Sequence, residues 1–238
     1  RRVQDLEIAS WVTELAAYAR DAARAEPGPT WEGTVILPAG TLGAFFRPVV
    51  EGASAEHFYR EDPSLDLDQP VCRGELRGEP LRLGTDPTLP YGRFSNRCDP
   101  DGVAAKAVTL VEDGVLRRRW AAQRFGHYLG IPITGRFANL VVGTGTRYER
   151  DMRDEAGILE VINFSWLNPN PVTGDIASEV RFGYLSKGMA RIPIRGGLLT
   201  GNVYQAIANC QFSREEKFTG NARVPAAIRV EGLRLAGS

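Results

Sequence analysis

Glycines that interrupt short apolar runs in the stretch Thr173–Asn209 constrain the fold of this chain more than any other feature. Val180–Leu185 is typical of a strand, Lys187–Gly188 of a turn, and Arg191–Ile194 of a returning strand. The pair Gly196–Gly197 ends that strand, because adjacent glycines favour a break in regular structure. Apolar residues then recur at near-helical spacing, and these are Leu198, Leu199, Val203 and Ile207. The stretch therefore predicts a hairpin and then, after a break at Thr200–Asn202, a helix around Asn202–Asn209.

Most other apolar runs also predict short strands joined by turns. The stretch Asp62–Pro100 contains six prolines and predicts short strands linked by ordered turns. Helices are predicted at Val3–Ala25 and Thr41–Gly52, and a short one ends near Leu129. Further strands are predicted at Trp31–Pro38, Lys106–Glu112, Val115–Trp120, Ile158–Trp166 and Val224–Val230. Hairpins rather than crossover helices join the strands, so we expect an α+β fold of mainly antiparallel, barrel- or sandwich-like sheets with a few helices.

Charge and cysteine content narrow the classes of partner and compartment. Among 238 residues, 29 Lys and Arg balance 29 Asp and Glu, whereas a nucleic-acid-binding domain usually has a basic excess. No apolar run approaches the roughly 20 residues of a membrane-spanning helix. Cys72, Cys98 and Cys210 form no CxxC pair, which favours a reducing compartment. We therefore expect a cytoplasmic protein that binds neither nucleic acid nor membrane.

Isolated histidines and cysteines offer little support for catalysis. His57 and His127 are 70 positions apart, and no second histidine follows His57 at helical spacing. Packed or surface imidazoles are therefore favoured over a metal site. Cys210 has no histidine near it in sequence to activate a thiolate, so a buried thiol is favoured over a nucleophile.

Two further motifs each leave a structural and a functional interpretation open. The basic cluster Arg117–Arg119 beside Trp120 suits RNA or phosphate contact, but a solvated strand edge is the favoured interpretation. The motifs Thr173–Asp175 and Gly201–Asn202 suit ligand binding through the backbone, but turn formation is favoured there, because Gly, Asp and Asn are common turn residues.

Taken in order, several motifs resemble one known family. Asp99–Gly102 and Val108–Leu116 resemble a D-x-x-G segment and an I-x-x-G-I/V-L hairpin, and Leu129–Gly130 and Thr134–Gly135 follow at the expected places. Together with Thr173–Asn209, this order resembles the C-terminal domain of the TldD/PmbA (TldE) peptidase family. The resemblance covers most of residues 31–235. It implies that residues 27–238 form that domain and that residues 1–26 are a helix at the tail of a missing N-terminal domain.

The same resemblance has consequences for metal binding. In the family, one subunit carries an HExxxH helix and a cysteine that hold a metal, whereas the PmbA or TldE subunit lacks them and pairs with the first. Val50–Gly52 matches the LEG that follows this helix, which places the ligands near Gly43 and Pro48 and the glutamate near Ala44. The cysteine's place falls near Glu215–Lys217. The resemblance thus implies no catalytic or metal-binding residue on this chain and zinc on a TldD-like partner.

The implied function is that of a non-catalytic PmbA/TldE-like subunit in a heterodimer. It would act on small peptides or amide-containing intermediates, with bacterial natural-product biosynthesis as one setting. Asp175, Arg181 and Asn202 are expected to face substrate or partner, because the family's strands here line the subunit cavity. Two alternatives stay open: a diverged stand-alone amide-processing enzyme, and a structural homodimer without activity.

Overall fold

The computed structural model describes residues 8–153, 157–187 and 190–237. Its helices are α1 (Ile8–Ala23), α2 (Ala39–Phe45), α3 (Arg47–Gly52), α4 (Ala55–Tyr59), α5 (Gln123–Leu129) and α6 (Val203–Ile207). Its strands are β1 (Glu26–Pro27), β2 (Trp31–Pro38), β3 (Leu83–Thr85), β4 (Val108–Glu112), β5 (Val115–Leu116), β6 (Leu140–Val142), β7 (Ile158–Phe164), β8 (Asp175–Lys187), β9 (Ala190–Arg195), β10 (Leu198–Asn202), β11 (Gln211–Phe212), β12 (Glu216–Phe218), β13 (Ala222–Pro225) and β14 (Ala227–Ala236). The predicted α+β class is confirmed.

The first sheet closes into a small barrel. Strands β10, β14, β2 and β7 follow one another from β8, and β7 pairs back onto β8. All these pairings are antiparallel except that of β2 with β7. Because β8 is long, it pairs with β10 through its first half and with β9 through its second half. The barrel therefore depends on β8 as its common strand.

The second sheet has six strands and stays open. Its order is β12-β13-β6-β3-β4-β5, and β13 with β6 is the parallel pair within it. The predicted hairpin between β4 and β5 is confirmed, since Asp113 and Gly114 both have positive φ, at 49° and 74°. Two such residues in succession form the type of turn that matches the twist of adjacent strands.

One apolar core joins the two sheets. Leu42, Phe45, Phe46 and Val49 of the α2–α3 segment are completely buried within it. The same cluster contains buried side chains from β2, β7, β8, β10 and β14 of the barrel and from β3, β4, β5, β6 and β13 of the second sheet. Each large side chain buried in this way stabilises the fold by about 1.5–3 kcal/mol. The α2–α3 segment thus fixes the barrel against the second sheet.

The single helix predicted at Thr41–Gly52 is wrong in its continuity. The chain forms α2 and then α3, and Phe46, with φ −84° and ψ 1°, lies between them. Pro48 explains the break, because proline has no N–H to donate and is tolerated only in the first turn of a helix. It occupies the first turn of α3.

The helix predicted around Asn202–Asn209 is confirmed as α6, but Leu198 and Leu199, which the apolar spacing grouped with it, lie in a strand. Gly196 and Gly197 both have positive φ, and the chain then enters strand β10. Leu198 is 40% exposed and Leu199 only 1%, which is the alternation of a strand rather than of a helix. The helix itself is confined to α6. Pairing with both β8 and β14 overrides the local helical spacing.

Two predicted strands differ from the observed ones for local reasons. The strand predicted at Val224–Val230 is the end of β13 and the start of β14, which lie in different sheets and are separated by Ala226. Pro225 ends β13, because proline has no N–H to donate to a neighbouring strand. The strand predicted from Val115 ends at Leu116, because the N–H groups of Arg117 and Arg118 both donate to the Leu110 carbonyl oxygen.

Helix α1 lies on the barrel through its second half. Tyr18 and Ala22 pack against Phe182 and Tyr184 of β8, and the Tyr184 hydroxyl donates to Asp21 at 2.7 Å. Of the helix predicted at residues 3–25, residues 3–7 lie outside the described part, as does Gly188 of the predicted turn. Across the described residues, no helix is long and apolar enough to cross a bilayer.

Candidate functional site

The segment where the resemblance places a metal-binding helix offers no ligand side chains. Gly43 is exposed on α2, and no atom lies within 4 Å of the position that a Cβ would take there. Ala44 is half-buried, and Pro48 is buried in α3. None of these side chains carries a nitrogen, oxygen or sulfur atom that binds metal.

The residues near the expected place of the cysteine ligand make structural contacts instead. Glu215 accepts a hydrogen bond from the backbone N–H of Glu149 at 2.8 Å, which lowers the pKa of its carboxyl. Cys210 is completely buried, and burial, with a contribution from Glu79, raises the pKa of its thiol far above the usual range. The thiol is therefore held protonated, as predicted for a packed cysteine. Within residues 8–153, 157–187 and 190–237, no group of three or more His, Cys, Asp and Glu side chains could hold a metal ion.

The two histidines lie on neighbouring short helices. His57 is half-buried on α4, and His127 is exposed on α5. These helices pack together through Tyr59, Phe125 and Tyr128, whose ring centroids are 5.1–6.2 Å apart. The aromatic contacts account for the packing of α4 on α5.

The basic cluster Arg117–Arg119 is not the uniformly solvated edge that the sequence favours. Arg119 is 4% exposed, and its guanidinium donates to the carbonyl oxygens of Leu65 at 2.6 Å and Gly52 at 3.3 Å. It also lies 4.2 Å from the ring centroid of Phe58. Burial lowers the pKa of this guanidinium. Arg119 therefore joins the end of α3 to the segment after α4 and is not available to RNA or phosphate.

Two of the three predicted contact residues meet in one cluster, which we call the barrel cluster: Thr173, Asp175 and Asn202. Asn202 lies opposite Asp175 across β8 and β10. Its amide nitrogen donates to Asp175 Oδ1 and to the Thr173 carbonyl oxygen, both at 2.8 Å. Its amide oxygen accepts from the N–H of Tyr204 at 3.0 Å and caps α6.

The carboxylate of the barrel cluster is held in its charged form by its neighbours. The Thr173 hydroxyl donates to Asp175 Oδ2 at 2.6 Å. Hydrogen bonds from Thr173 and then Asn202 hold the pKa of the Asp175 carboxyl below its usual value. Each oxygen of Asp175 thus has a partner within the protein, so the barrel cluster stabilises the turn before β8.

Arg181 does not join the barrel cluster. It lies six residues from Asp175 along β8, which corresponds to about 20 Å of strand. Its side chain is exposed on the outer face of the barrel and has no partner within the described residues. The structure therefore brings Asp175 and Asn202 together and leaves Arg181 apart.

A cavity that the sequence reasoning missed lies on the open face of the second sheet. It has a volume of about 630 Å³, within the range of small-ligand sites. We call it the sheet groove. Residues from β3, β4, β6, β12 and β13 line it, together with the segments around Glu79 and residues 143–146. The alternation of burial around β3 could have revealed it: Arg82 is exposed and Asp86 half-buried at the groove, whereas Leu81, Leu83 and Thr85 are buried.

A glycine gives the groove its floor. Gly84 lies beside Val141 of β6 on one side and Thr109 of β4 on the other, and Arg223 of β13 lies beyond Val141. A Cβ at Gly84 would collide with the carbonyl oxygen of Val108. Only glycine fits there, because the backbone of Val108 and Thr109 takes the place that a side chain would occupy and forms part of the groove floor.

The charged side chains of the groove fall into two groups. Glu79 accepts from the N–H of Phe212 at 2.7 Å, and Glu216 lies 3.6 Å from Arg223. Glu79 is therefore engaged by a hydrogen bond, whereas Glu216 and Arg223 share an ion pair in which Arg223 Nε has no hydrogen-bond partner within the described residues. Arg82 is exposed, and its guanidinium has no partner within the described residues. Asp86 uses Oδ1 to accept from Thr88, whereas its Oδ2 has no partner in that part of the chain.

Comparison with known proteins identifies the family. Residues 30–237 match the PmbA/TldA metallopeptidase C-terminal domain, so the chain belongs to the TldD/PmbA/TldE family of metallopeptidase-like proteins. It is 27% identical over 211 residues to a protein of Archaeoglobus fulgidus named metalloprotease, covering 80% of this chain and 47% of that one. It is 26% identical over 193 residues to an uncharacterized protein of Methanocaldococcus jannaschii, covering 74% and 44%.

Solved structures share the fold. TldE from Thermococcus kodakarensis superposes with a TM-score of 0.86 at 20% identity, covering 100% of this chain and 57% of that one. A protein of Thermotoga maritima described as a putative modulator of a DNA gyrase superposes with a TM-score of 0.84 at 18% identity, covering 99% and 57%. The chain spans about half the length of the curated relatives that it matches.

Proposed function

We propose that this chain is a PmbA/TldE-like subunit without a metal of its own, which pairs with a TldD-like subunit that holds zinc. The pair would act on small peptides or amide-containing intermediates, including those of bacterial natural-product biosynthesis. In this arrangement the partner activates the attacking water, and this chain encloses and orients the substrate.

The observation that supports this proposal most is the composition and shape of the α2–α3 segment. A metal-binding HExxxH motif needs side chains that project from one face of a continuous helix. Here Gly43, Ala44 and Pro48 stand at the places that the resemblance assigns to those side chains, and Pro48 coincides with a break between two helices. The fold of the family is kept, while this segment cannot supply the ligands.

The three predicted contact residues enter the proposal with different roles. Asp175 and Asn202 bond to each other, so their part is to shape the surface at the start of β8. Arg181 keeps an exposed charge and is the candidate for direct contact with the partner. Replacement of Arg181 by Glu is expected to weaken the pairing about twofold to fivefold, as for a surface ion pair. The affinity of the two subunits is measured by titration. Arg195→Glu, which makes the same charge change at another exposed position, on β9, serves as the matched control.

We also place the protein in the cytoplasm. Its three cysteines are all free, which suits a reducing compartment. Redox-sensitive location reporters fused to the chain test this assignment.

Partner-dependent cleavage is the experiment that tests the proposed function. The chain is purified alone and together with a TldD-like protein, and zinc content and hydrolysis of a fluorogenic short peptide are measured. We expect cleavage only by the pair, and its loss when the glutamate of the partner's HExxxH motif is replaced by Gln. Full cleavage or bound zinc in this chain alone would instead support a stand-alone enzyme. A stable homodimer without affinity for the TldD-like protein would support the structural alternative.

A further inference from the structure

We propose that the sheet groove binds a short free peptide, with the C-terminal carboxylate at Arg82 and the N-terminal ammonium at Asp86. The inference goes beyond the proposed function, because it assigns ligand binding to this chain alone and requires neither the partner nor a metal. It rests on the spacing of charges along β3, on the partners of each charged group and on the shape of the groove floor.

The charges suited to a ligand are the ones that the protein leaves unpaired. Five charged side chains line the groove, and they are Glu79, Arg82, Asp86, Glu216 and Arg223. Glu79 is bonded to backbone, and Glu216 pairs with Arg223. Within the described residues, the Arg82 guanidinium and Oδ2 of Asp86 have neither a hydrogen bond nor an ion pair, whereas Arg223 keeps its ion pair with Glu216. A ligand that complements the groove therefore carries one negative and one positive group, rather than a net charge.

The separation of these two groups sets the length of the ligand. Arg82 and Asp86 flank β3 on either side and are four residues apart, so their backbone positions are about 13 Å apart in an extended chain. An extended chain spans at most about 3.3–3.6 Å per residue, so about four residues bridge the two charges. A dipeptide is too short to reach both ends of the groove. The two charges thus select a peptide with free termini and a length close to four residues.

The floor between the two charges suits the middle of such a peptide. Gly84 lies at its centre without a side chain, and Val141 and Thr109 flank it. Because the β4 backbone fills the place of a Cβ at Gly84, this part of the floor is backbone rather than a movable side chain. Peptide side chains therefore contact small neutral residues, and specificity comes from the two charged termini.

The orientation of the peptide follows from hydrogen-bonding chemistry. A guanidinium can hold a carboxylate by two parallel hydrogen bonds, which is the stronger and more specific pairing. At the other end, Asp86 Oδ1 is fixed by the N–H of Thr88 at 2.8 Å and its hydroxyl at 2.6 Å, which orients Oδ2 for an ammonium. Exchange of the two termini would bring like charges together.

Calorimetric titration of the chain alone with tetra-alanine tests the inference. Three forms of the peptide are compared: free termini, C-terminal amide and N-terminal acetyl. We expect the free peptide to bind, and each cap to weaken binding about tenfold. Arg82→Gln should abolish the effect of the amide but keep that of the acetyl group, and Asp86→Asn should do the reverse. Di-alanine should bind about tenfold more weakly than tetra-alanine.

Controls separate recognition from a general structural effect. Arg195→Gln and Asp62→Asn remove exposed charges outside the groove and should leave both cap effects unchanged. Equal binding of free and capped peptides would overturn the inference, as would equal weakening of all three peptides by Arg82→Gln. Absence of saturation up to about 1 mM tetra-alanine would also overturn it. These titrations use this chain without a partner. A negative result would therefore not change the result expected in the cleavage assay, so the two proposals can fail separately.

Discussion

The barrel cluster and the sheet groove differ in how their polar side chains are satisfied. In the barrel cluster, Thr173, Asp175 and Asn202 bond to one another and to the start of α6. In the sheet groove, Arg82 and Oδ2 of Asp86 have no partner within the described residues, although both line a cavity. One region uses its polar groups to hold the fold, whereas the other keeps them available.

This difference shows why the family motif alone is a poor guide to a binding site. The TGD and GN residues are prominent in sequence because a turn, a strand pairing and a helix cap all require them. In the groove, by contrast, the Arg82 side chain and Oδ2 of Asp86 meet no such local requirement within the described residues. A substitution should therefore reduce stability in the barrel cluster and reduce binding in the sheet groove.

The largest expected loss of stability follows Asn202→Ala. Asn202 is 8% exposed and supplies the cap of α6 as well as the bond to Asp175. We expect the free energy of unfolding to fall by about 2 kcal/mol, the sum of a lost cap and a lost buried hydrogen bond. Urea denaturation followed by circular dichroism measures this change.

Asn202→Ser sharpens the same prediction. Serine retains an oxygen that can cap α6 but loses the amide donors, so we expect about half of the loss seen with alanine. If Asn202→Ala unfolds at the same urea concentration as the native chain, the structural role of the barrel cluster is wrong.

The contribution of the Asp175 carboxylate to stability is expected to depend on pH. The pKa of Asp175 is lower in the folded chain than in the unfolded one, so this carboxylate stabilises the fold at neutral pH and loses that effect as the pH falls through its folded value. The stability difference between the native chain and Asp175→Asn should therefore be largest near neutral pH and should shrink below about pH 4. Thermal unfolding at several pH values measures it, and a constant difference would contradict the assignment.

The smallest expected effects on stability are those of the groove charges. Arg82→Gln and Asp86→Asn should each change the free energy of unfolding by less than about 0.5 kcal/mol, because neither removes an ion pair within the described residues. Asparagine keeps the oxygen that accepts from Thr88, so the turn there is preserved. Denaturation of both variants beside Asn202→Ala gives the comparison directly. A loss near that of Asn202→Ala would mean that the groove charges are structural.

Local features of the fold were predictable from sequence, whereas its closure was not. The Asp113–Gly114 turn follows from the residues at the turn itself. The parallel pairing of β2 with β7, by contrast, joins Thr34 to Ile158 and depends on the whole intervening chain. Short-range patterns also misassigned Leu198, because contacts with two neighbouring strands decide its conformation.

The candidate site shows the same division. The absence of metal-binding side chains at Gly43 and Pro48 is a prediction that follows from the residue types alone. Sequence patterns did not point to Arg82 and Asp86, because they lie in a proline-rich segment whose strand is only three residues long. Their importance comes from β4, β6 and β13, which arrive from distant parts of the chain to form the groove floor.

Mapping of amide chemical shifts during titration with tetra-alanine tests the central comparison most directly. We predict that the amides of Gly84, Thr109 and Val141 shift in proportion to binding, and that those of Asp175 and Asn202 do not. Shifts centred on Asp175 and Asn202, with the groove strands unaffected, would contradict the assignment of structure to the barrel cluster and of binding to the sheet groove.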